Sequence, residues 1–271
     1  MKRKVAVLIS TFNRLEYSKI MLWNYLKNTK LPHVLVLMDS GSKDGTAEWL
    51  KELEGSSMWG QYPHIMPRVV CCDENILLPG VKNLFYKMFL NDPDIEYLAH
   101  FADDVLVQDG ELEELVRVMD KVPKMGLLIV RGLGIEHVKK LKEDNHPEYL
   151  CVDGEEFWNP GGLDGHSHQI LRKQVIFSIR DNPLIANDGL IEPRGQAAPA
   201  FYCGFVRAAG WYVCHHPWLI NREIQFDPVL SLGHTNKYEV YNAAMKIHFD
   251  KDSRPLNVDM YKGKTILKES V

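Results

Sequence analysis

The sequence predicts one α/β domain built on a mostly parallel sheet with helices on both faces. Three observations carry that prediction. Short continuous apolar runs rich in β-branched residues alternate with stretches of helical periodicity. The repeating strand–helix unit is roughly 30 residues long, the length of a βαβ crossover. Each apolar run ends in polar chain rich in Asp, Asn, Ser or Gly, as expected where strands deliver ligand-facing loops to one edge of a sheet.

The elements follow in order. "KVAVLIST" (4–11) reads as a strand buried on both faces, since it is apolar without alternation. "RLEYSKIMLWNYLKN" follows as a helix, with Leu15, Ile20, Leu22, Trp23 and Leu26 approximating its apolar stripe. "HVLVLMDS" (33–40) is a second buried strand. Asp44 is placed to cap the helix "GTAEWLKELEG", which closes on Gly55. "RVVCCDEN" (68–75) is a third strand, and Pro79 opens the helix "GVKNLFYKMFLND". "IEYLAHFADD" (95–104) is a fourth strand, Asp109 is placed to cap "GELEELVRVMDKV", and "MGLLIVRG" (125–132) is a fifth strand.

The second half is less regular. "DGEEFWNPGGLDGHSH" (153–168) and "RDNPLIANDGLIEPRGQAAP" (180–199) read as loops. "QILRKQVIFSI" reads as strand passing into helix, and "GWYVCHHPWLI" (210–220) as a late strand. No linker or internal repeat divides the chain, so residues 1–271 are read as one domain.

Composition narrows the function. The 271 residues are 45% hydrophobic and 25% charged, enough apolar chain for a sizeable core. A formal net charge of −4 gives no reason to expect nucleic acid as a partner. No run reaches the roughly 18 apolar residues of a membrane span, and the N-terminus does not read as a signal peptide. Cys71, Cys72, Cys151, Cys203 and Cys214 are odd in number and lack a CxxC pair. They read as small buried thiols in a reducing, cytoplasmic setting.

The chemistry gathers at the strand ends. Asp103 and Asp104 in "FADDV" close the fourth strand. Adjacent carboxylates there suit a hard divalent cation, Mg2+ or Mn2+, and the phosphates that such a cation brings. Asp39 in "MDSGSKDGT" closes the second strand and can accept hydrogen bonds from a ribose or a uracil-like base edge, with Gly41 and Gly45 allowing tight turns beside a ligand. "STFNR" ends the first strand. "NILLPGVKN" places Lys82 and Asn83 near a helix start, where a phosphate can be held; the plain alternative for Lys82 is a solvated helix face.

Four segments occur in this order: "VAVLISTFNRLE", "VLVLMDSGSKDGTAEWL", "ENILLPGVKNLF" and "YLAHFADDVLVQDGEL". In that order the chain resembles the family 2 glycosyltransferases of the GT-A fold, a Rossmann-like, mostly parallel sheet flanked by helices. The likeness is close over residues 4–120 and loose beyond. It implies a metal-dependent, hexosyltransferase-type enzyme that moves a sugar from a nucleotide-diphosphate sugar, UDP-sugar favoured, to a carbohydrate or other hydroxyl acceptor. Residues 1–120 would be the nucleotide-sugar-binding half, and 121–271 the acceptor half with a C-terminal extension. Thr11 and Arg14 would lie near the base, and Asp39 would bind base or ribose. Lys82 stands where the family commonly has Arg or Lys near the nucleotide. Asp103 would contact ribose or metal, and Asp104 would ligate Mn2+ or Mg2+ directly. Ala102 stands where a third acid is often found.

His234 in "LGHTN" is a further metal ligand or diphosphate contact by the same resemblance. His166 and His168 fall where acceptor-facing loops lie in that class. The general base for the acceptor hydroxyl is harder to place. The family often carries a Glu-Asp pair about a dozen residues before a segment like "AAGWYV" (208–213), but the corresponding stretch here, "QAAPAFY", has no acid. Asp188 and Glu192 in "ANDGLIEPRG" are the candidates, Asp188 preferred, with Asp164 a third. Trp158, Trp211 and Trp218 offer faces for a sugar ring, or serve simply as core tryptophans. Competing readings are a nucleotidyltransferase, a catalytically silent nucleotide-sugar-binding protein, and a DNA-modifying glycosyltransferase. The first lacks a Gly-rich opening loop, and the last gains nothing from an acidic net charge. No GxGxxG follows the first strand, which argues against a dehydrogenase.

Overall fold

The computed structural model describes residues 3–130, 134–159, 168–179, 198–217, 219 and 222–223. The first half alternates as the sequence predicts. β1 (Val5–Thr11), α1 (Leu15–Asn28), β2 (His33–Asp39), α2 (Thr46–Glu54) and β3 (Ile65–Cys71) follow one another, with a 3₁₀ turn at Ser57–Gln61 before β3. Then come α3 (Leu77–Phe89), β4 (Tyr97–Ala102), β5 (Val105–Leu106), α4 (Glu111–Lys121) and β6 (Met125–Val130). The later chain adds α5 (Gly134–Glu143), the hairpin β7 (Tyr149–Val152) and β8 (Glu155–Trp158), and β9 (His168–Arg172). It continues with α6 (Lys173–Ile179), α7 (Ala198–Ala208), β10 (Tyr212–His215) and β11 (Arg222–Glu223).

Nine strands form one sheet in the order β3-β2-β1-β4-β9-β6-β10-β8-β7, and β5 pairs with β11 apart from it. β1 runs parallel to both β2 and β4, β2 to β3, and β6 to β10. β9 is inserted antiparallel between β4 and β6, a reversal the sequence did not announce. The helix α6 starts directly at Lys173, where β9 ends.

The sheet is buried on both faces, which explains the unbroken apolar runs. Val5, Val7 and Ile9 turn toward α1 and α4, against Met21, Tyr25, Leu112 and Leu115. Ala6 and Leu8 turn the other way, against Val81 and Phe85 of α3 and, farther along the sheet, Val175 of α6 and Tyr202 of α7. Within α1 the buried set is Tyr17, Ser18, Met21, Leu22, Tyr25 and Leu26. That is a regular i, i+4 stripe, and it corrects the predicted one: Trp23 falls off it and is 51% exposed.

Both predicted caps shift by one residue. Gly45 and Gly110, each in the left-handed region, hold the N-cap positions of α2 and α4. Asp44 sits one residue earlier and accepts from the backbone N–H groups of both Thr46 and Leu15, so one carboxylate serves the first turns of two helices. Burial pushes its pKa up, but those hydrogen bonds outweigh it and hold the group below its ordinary value. Asp109 instead ion-pairs with Lys30 at the surface. Among the described residues no helix is long and apolar enough to cross a membrane.

Candidate functional site

The carboxyl ends of β1, β2 and β4 lie side by side. Register pairs Thr11 with Asp39 and Ser10 with Ala102, so the three polar strand ends share one level of the sheet. The expected rim is therefore in place, with Thr11, Asp39 and Asp103 all buried in it.

Asp39 is fully buried. Its Oδ2 accepts from the N–H groups of Gly41 and Ser42, at 3.0 and 2.9 Å. Its Oδ1 has no hydrogen-bond partner among the described residues. A buried carboxylate oxygen left open is costly unless a ligand donates to it. The turn beyond it is tightly built. Gly41 has φ 77°, and a Cβ there would lie 2.5 Å from the backbone carbon of Glu74, so only glycine fits. Ser40 Oγ accepts from Ile76 N–H, Asn13 Oδ1 accepts from Lys43 N–H, and Ser42 Oγ accepts from Asn13 N–H. These bonds tie the ends of β1, β2 and β3 together.

The acid pair stands across β1 from Asp39. Arg14 Nη1 donates to Asp103 Oδ1 at 3.0 Å and to Asp104 Oδ2 at 2.9 Å. Ser18 Oγ reaches Asp103 Oδ2 at 3.4 Å and Thr11 Oγ1 at 2.6 Å. Arg14 and Ser18 are four residues apart at the start of α1, so both face the rim. Burial pushes the Asp103 carboxyl above its usual range, against the pull of Arg14. The charge on Asp103 in turn raises the guanidinium pKa further, so Arg14 is always charged. Arg14 thus reaches both acids. Ser18 was missed, and its spacing from Arg14 was the available signal.

Asp103 and Asp104 are oxygen donors on one strand end, a set that fits a hard divalent cation. Among the described residues no group of three or more His, Cys, Asp or Glu side chains assembles. Lys82 is buried on α3 and has an interaction partner, so the solvated-face alternative is corrected.

Beside the acids lies a second polar layer that sequence reasoning did not pair. His168 opens β9 opposite Phe101, and its Nδ1 meets Glu111 Oε1 at 2.6 Å with both side chains buried. Glu111 Oε2 also accepts from Gln108 N–H. His168 is therefore a strand residue rather than part of an acceptor-facing loop. One turn along α4, Glu114 meets His216 Nε2 at 3.1 Å beyond the end of β10. Hydrogen bonds from Arg117 and His216 hold the Glu114 carboxyl down at about 2. Trp158 is buried against the His215 ring and donates to Glu148, and Trp211 donates to Ser178, so both serve packing. Asp164, His166, Asp188, Glu192, Trp218 and His234 lie outside the described residues.

A family model described as Glycosyl transferase family 2 matches residues 6–178, more than half of the chain. The chain belongs to glycosyl transferase family 2. Solved structures agree in fold. A mannosyltransferase from Pyrobaculum calidifontis, in complex with GDP-Man and Mn2+, superposes with a TM-score of 0.59 at 13% identity, covering 84% of this chain and 59% of that one. S. aureus TarS 1–349 in complex with UDP-GlcNAc gives 0.51 at 14% identity, covering 88% and 64%. The chain thus spans about three fifths of the length of these structures. A search of curated proteins gives no match. The family brings the GT-A fold with it: a mostly parallel sheet flanked by helices.

Proposed function

We propose that this family 2 chain is a glycosyltransferase that takes its sugar from a nucleotide-diphosphate donor, a UDP-sugar, and passes it to an acceptor hydroxyl. The observation that carries the reading is the buried Asp39 carboxylate. One oxygen is fixed by Gly41 and Ser42 N–H groups, and the other is buried with no hydrogen-bond partner among the described residues. A base imide N–H or a ribose hydroxyl supplies such a donor. The GDP-Man and UDP-GlcNAc bound to the two solved relatives favour the same ligand class.

The remaining roles follow from placement on the rim. Thr11 and Arg14 flank the nucleotide at the end of β1, and Lys82 contributes positive charge from α3. Asp104, Asp103 and, outside the described residues, His234 would hold Mn2+ or Mg2+. Bound there, such a cation would neutralise charge developing on the departing diphosphate. Asp188 or Glu192 takes the proton of the acceptor hydroxyl as it attacks the anomeric carbon. Ser18, itself bonded to Thr11, holds Asp103 in position at the rim.

The test is nucleoside diphosphate release from a panel of nucleotide sugars, with Mn2+ and with chelator, by the wild-type chain and by Asp104→Ala. Release from one donor class, lost in the variant and in chelator, supports the reading. Turnover that persists in chelator removes the metal role, and no release from any donor with any acceptor removes the transferase.

A further inference from the structure

The acid pair is neutralised from within the chain. A single nitrogen, Arg14 Nη1, bridges Asp103 Oδ1 and Asp104 Oδ2 at 3.0 and 2.9 Å. The Arg14 backbone is fixed at the rim, since its carbonyl accepts from Ser18 N–H and so starts α1 there. Nor can it discharge, because the guanidinium stays protonated. The two acids are not equivalent. Asp103 is the more deeply buried, with a side chain 7% exposed against 15% for Asp104, and it keeps Ser18 as a second donor. A divalent cation arriving at this strand end therefore meets acids that already hold the Arg14 guanidinium within ion-pair distance, and Asp104 is the more exposed of the two.

We propose that Arg14 is an exchangeable internal counter-cation. Divalent cation binding draws Asp104 away from Arg14, the guanidinium remains on Asp103, and Arg14 thereby weakens the affinity of the site for the cation. In the ligand-free protein the same contact keeps two adjacent carboxylates from repelling one another at the rim. The assignment rests on the metal role within the glycosyltransferase reading, but not on the identity of donor or acceptor.

The experiment follows the electron paramagnetic resonance signal of free Mn2+ during titration of the full chain, with MnCl2 alone and with MnCl2 plus UDP. Removing the guanidinium charge in Arg14→Gln is expected to tighten Mn2+ binding by about tenfold or more, the scale of one unit charge acting over a few ångströms at a partly exposed site. Arg14→Lys, which keeps the charge, is expected to stay within about threefold of wild type. Adding Asp104→Asn to either background should abolish the binding. A second measurement needs no variant: on adding diamagnetic Mg2+ to 15N-labelled wild-type protein, the Arg14 Nε–H resonance should shift as the Asp104 contact is lost. Unchanged or weaker Mn2+ binding in Arg14→Gln, binding that survives Asp104→Asn, a silent Arg14 resonance, or no cation binding at all each overturns the proposal. Mn2+ exchange without turnover of any nucleotide sugar would instead defeat the transferase reading and leave this assignment standing.

Discussion

Replacing Asp39 by asparagine changes one oxygen into an NH2 group at the base of the proposed nucleotide site. The amide oxygen can still accept from Gly41 and Ser42 N–H, which fixes the side chain in its present orientation. The NH2 then stands where Oδ1 now lies buried without a partner. A donor from the base or ribose meets a donor instead of a charged acceptor. The loss combines one hydrogen bond to a charged group with an unsatisfied buried polar contact, about 3 kcal/mol together. That corresponds to roughly 100-fold weaker nucleotide binding. Calorimetric titration with UDP in the presence of Mn2+ reads this directly. The thermal midpoint checks that the variant stays folded, which the two preserved bonds require. Asp39→Ala is the contrasting variant, because it also strips the acceptor from Gly41 and Ser42 and so costs stability as well. Wild-type affinity in Asp39→Asn would refute the reasoning and move the nucleotide off β2.

Three further outcomes follow from the geometry. Gly41→Ala forces a Cβ to within 2.5 Å of Glu74 backbone at φ 77° and should cost roughly 2–4 kcal/mol in urea unfolding, whereas Gly55→Ala, which meets nothing within 4 Å, should change it by less than about 1 kcal/mol. His33 Nδ1 must donate to the Leu31 carbonyl, so Nε2 accepts from Tyr25 and the ring is neutral. Burial lowers the His33 pKa from 6.5 to about 4, aided by the neighbouring charges of His64 and Arg3 and opposed by the Leu31 bond. The unfolded chain takes up that proton first, so this contribution is intact above pH 6.5 and is lost as pH falls toward 4. The loss is about 3 kcal/mol, and His33→Phe should flatten that part of the stability profile. His168→Leu leaves Glu111 buried without its partner and should destabilise by about 3–5 kcal/mol in the same assay, with the double variant Glu111→Leu/His168→Leu recovering part of the loss.

The parallel half was legible because its strands are buried on both faces and so read as continuous apolar runs. β3 was the least well bounded, predicted at 68–75 and found at Ile65–Cys71. It is one of the two edge strands, paired with β2 alone among the described residues, and Met66 and Pro67 give it no clean apolar signal. The reversal at β9 could not be read, since "HQILR" does not say which strands it will lie between. The β7–β8 hairpin carries a readable turn, and β8 lies within the stretch 153–168 that the sequence predicts as loop. Asp153 and Gly154 both have positive φ, as in the two-residue Asp-Gly turn that its sequence spells. At the site, Asp39, Asp103 and Asp104 were placed by strand ends alone. Arg14 meets its acids across about 90 residues of chain, and Glu111 meets His168 across 57. Such pairings belong to the fold and leave no local pattern in the sequence.

The most direct measurement of the central claim is a thermal-shift series with UDP and GDP, each with and without Mn2+, on wild type and Asp39→Asn. Ligand at about 100 times its dissociation constant stabilises the folded state by about 2.7 kcal/mol, a rise of several degrees for a chain of this size. The account predicts that rise for wild type with nucleoside diphosphate and Mn2+ together, and its loss in Asp39→Asn. No shift with any nucleoside diphosphate at millimolar concentration, or an equal shift in both proteins, would contradict it.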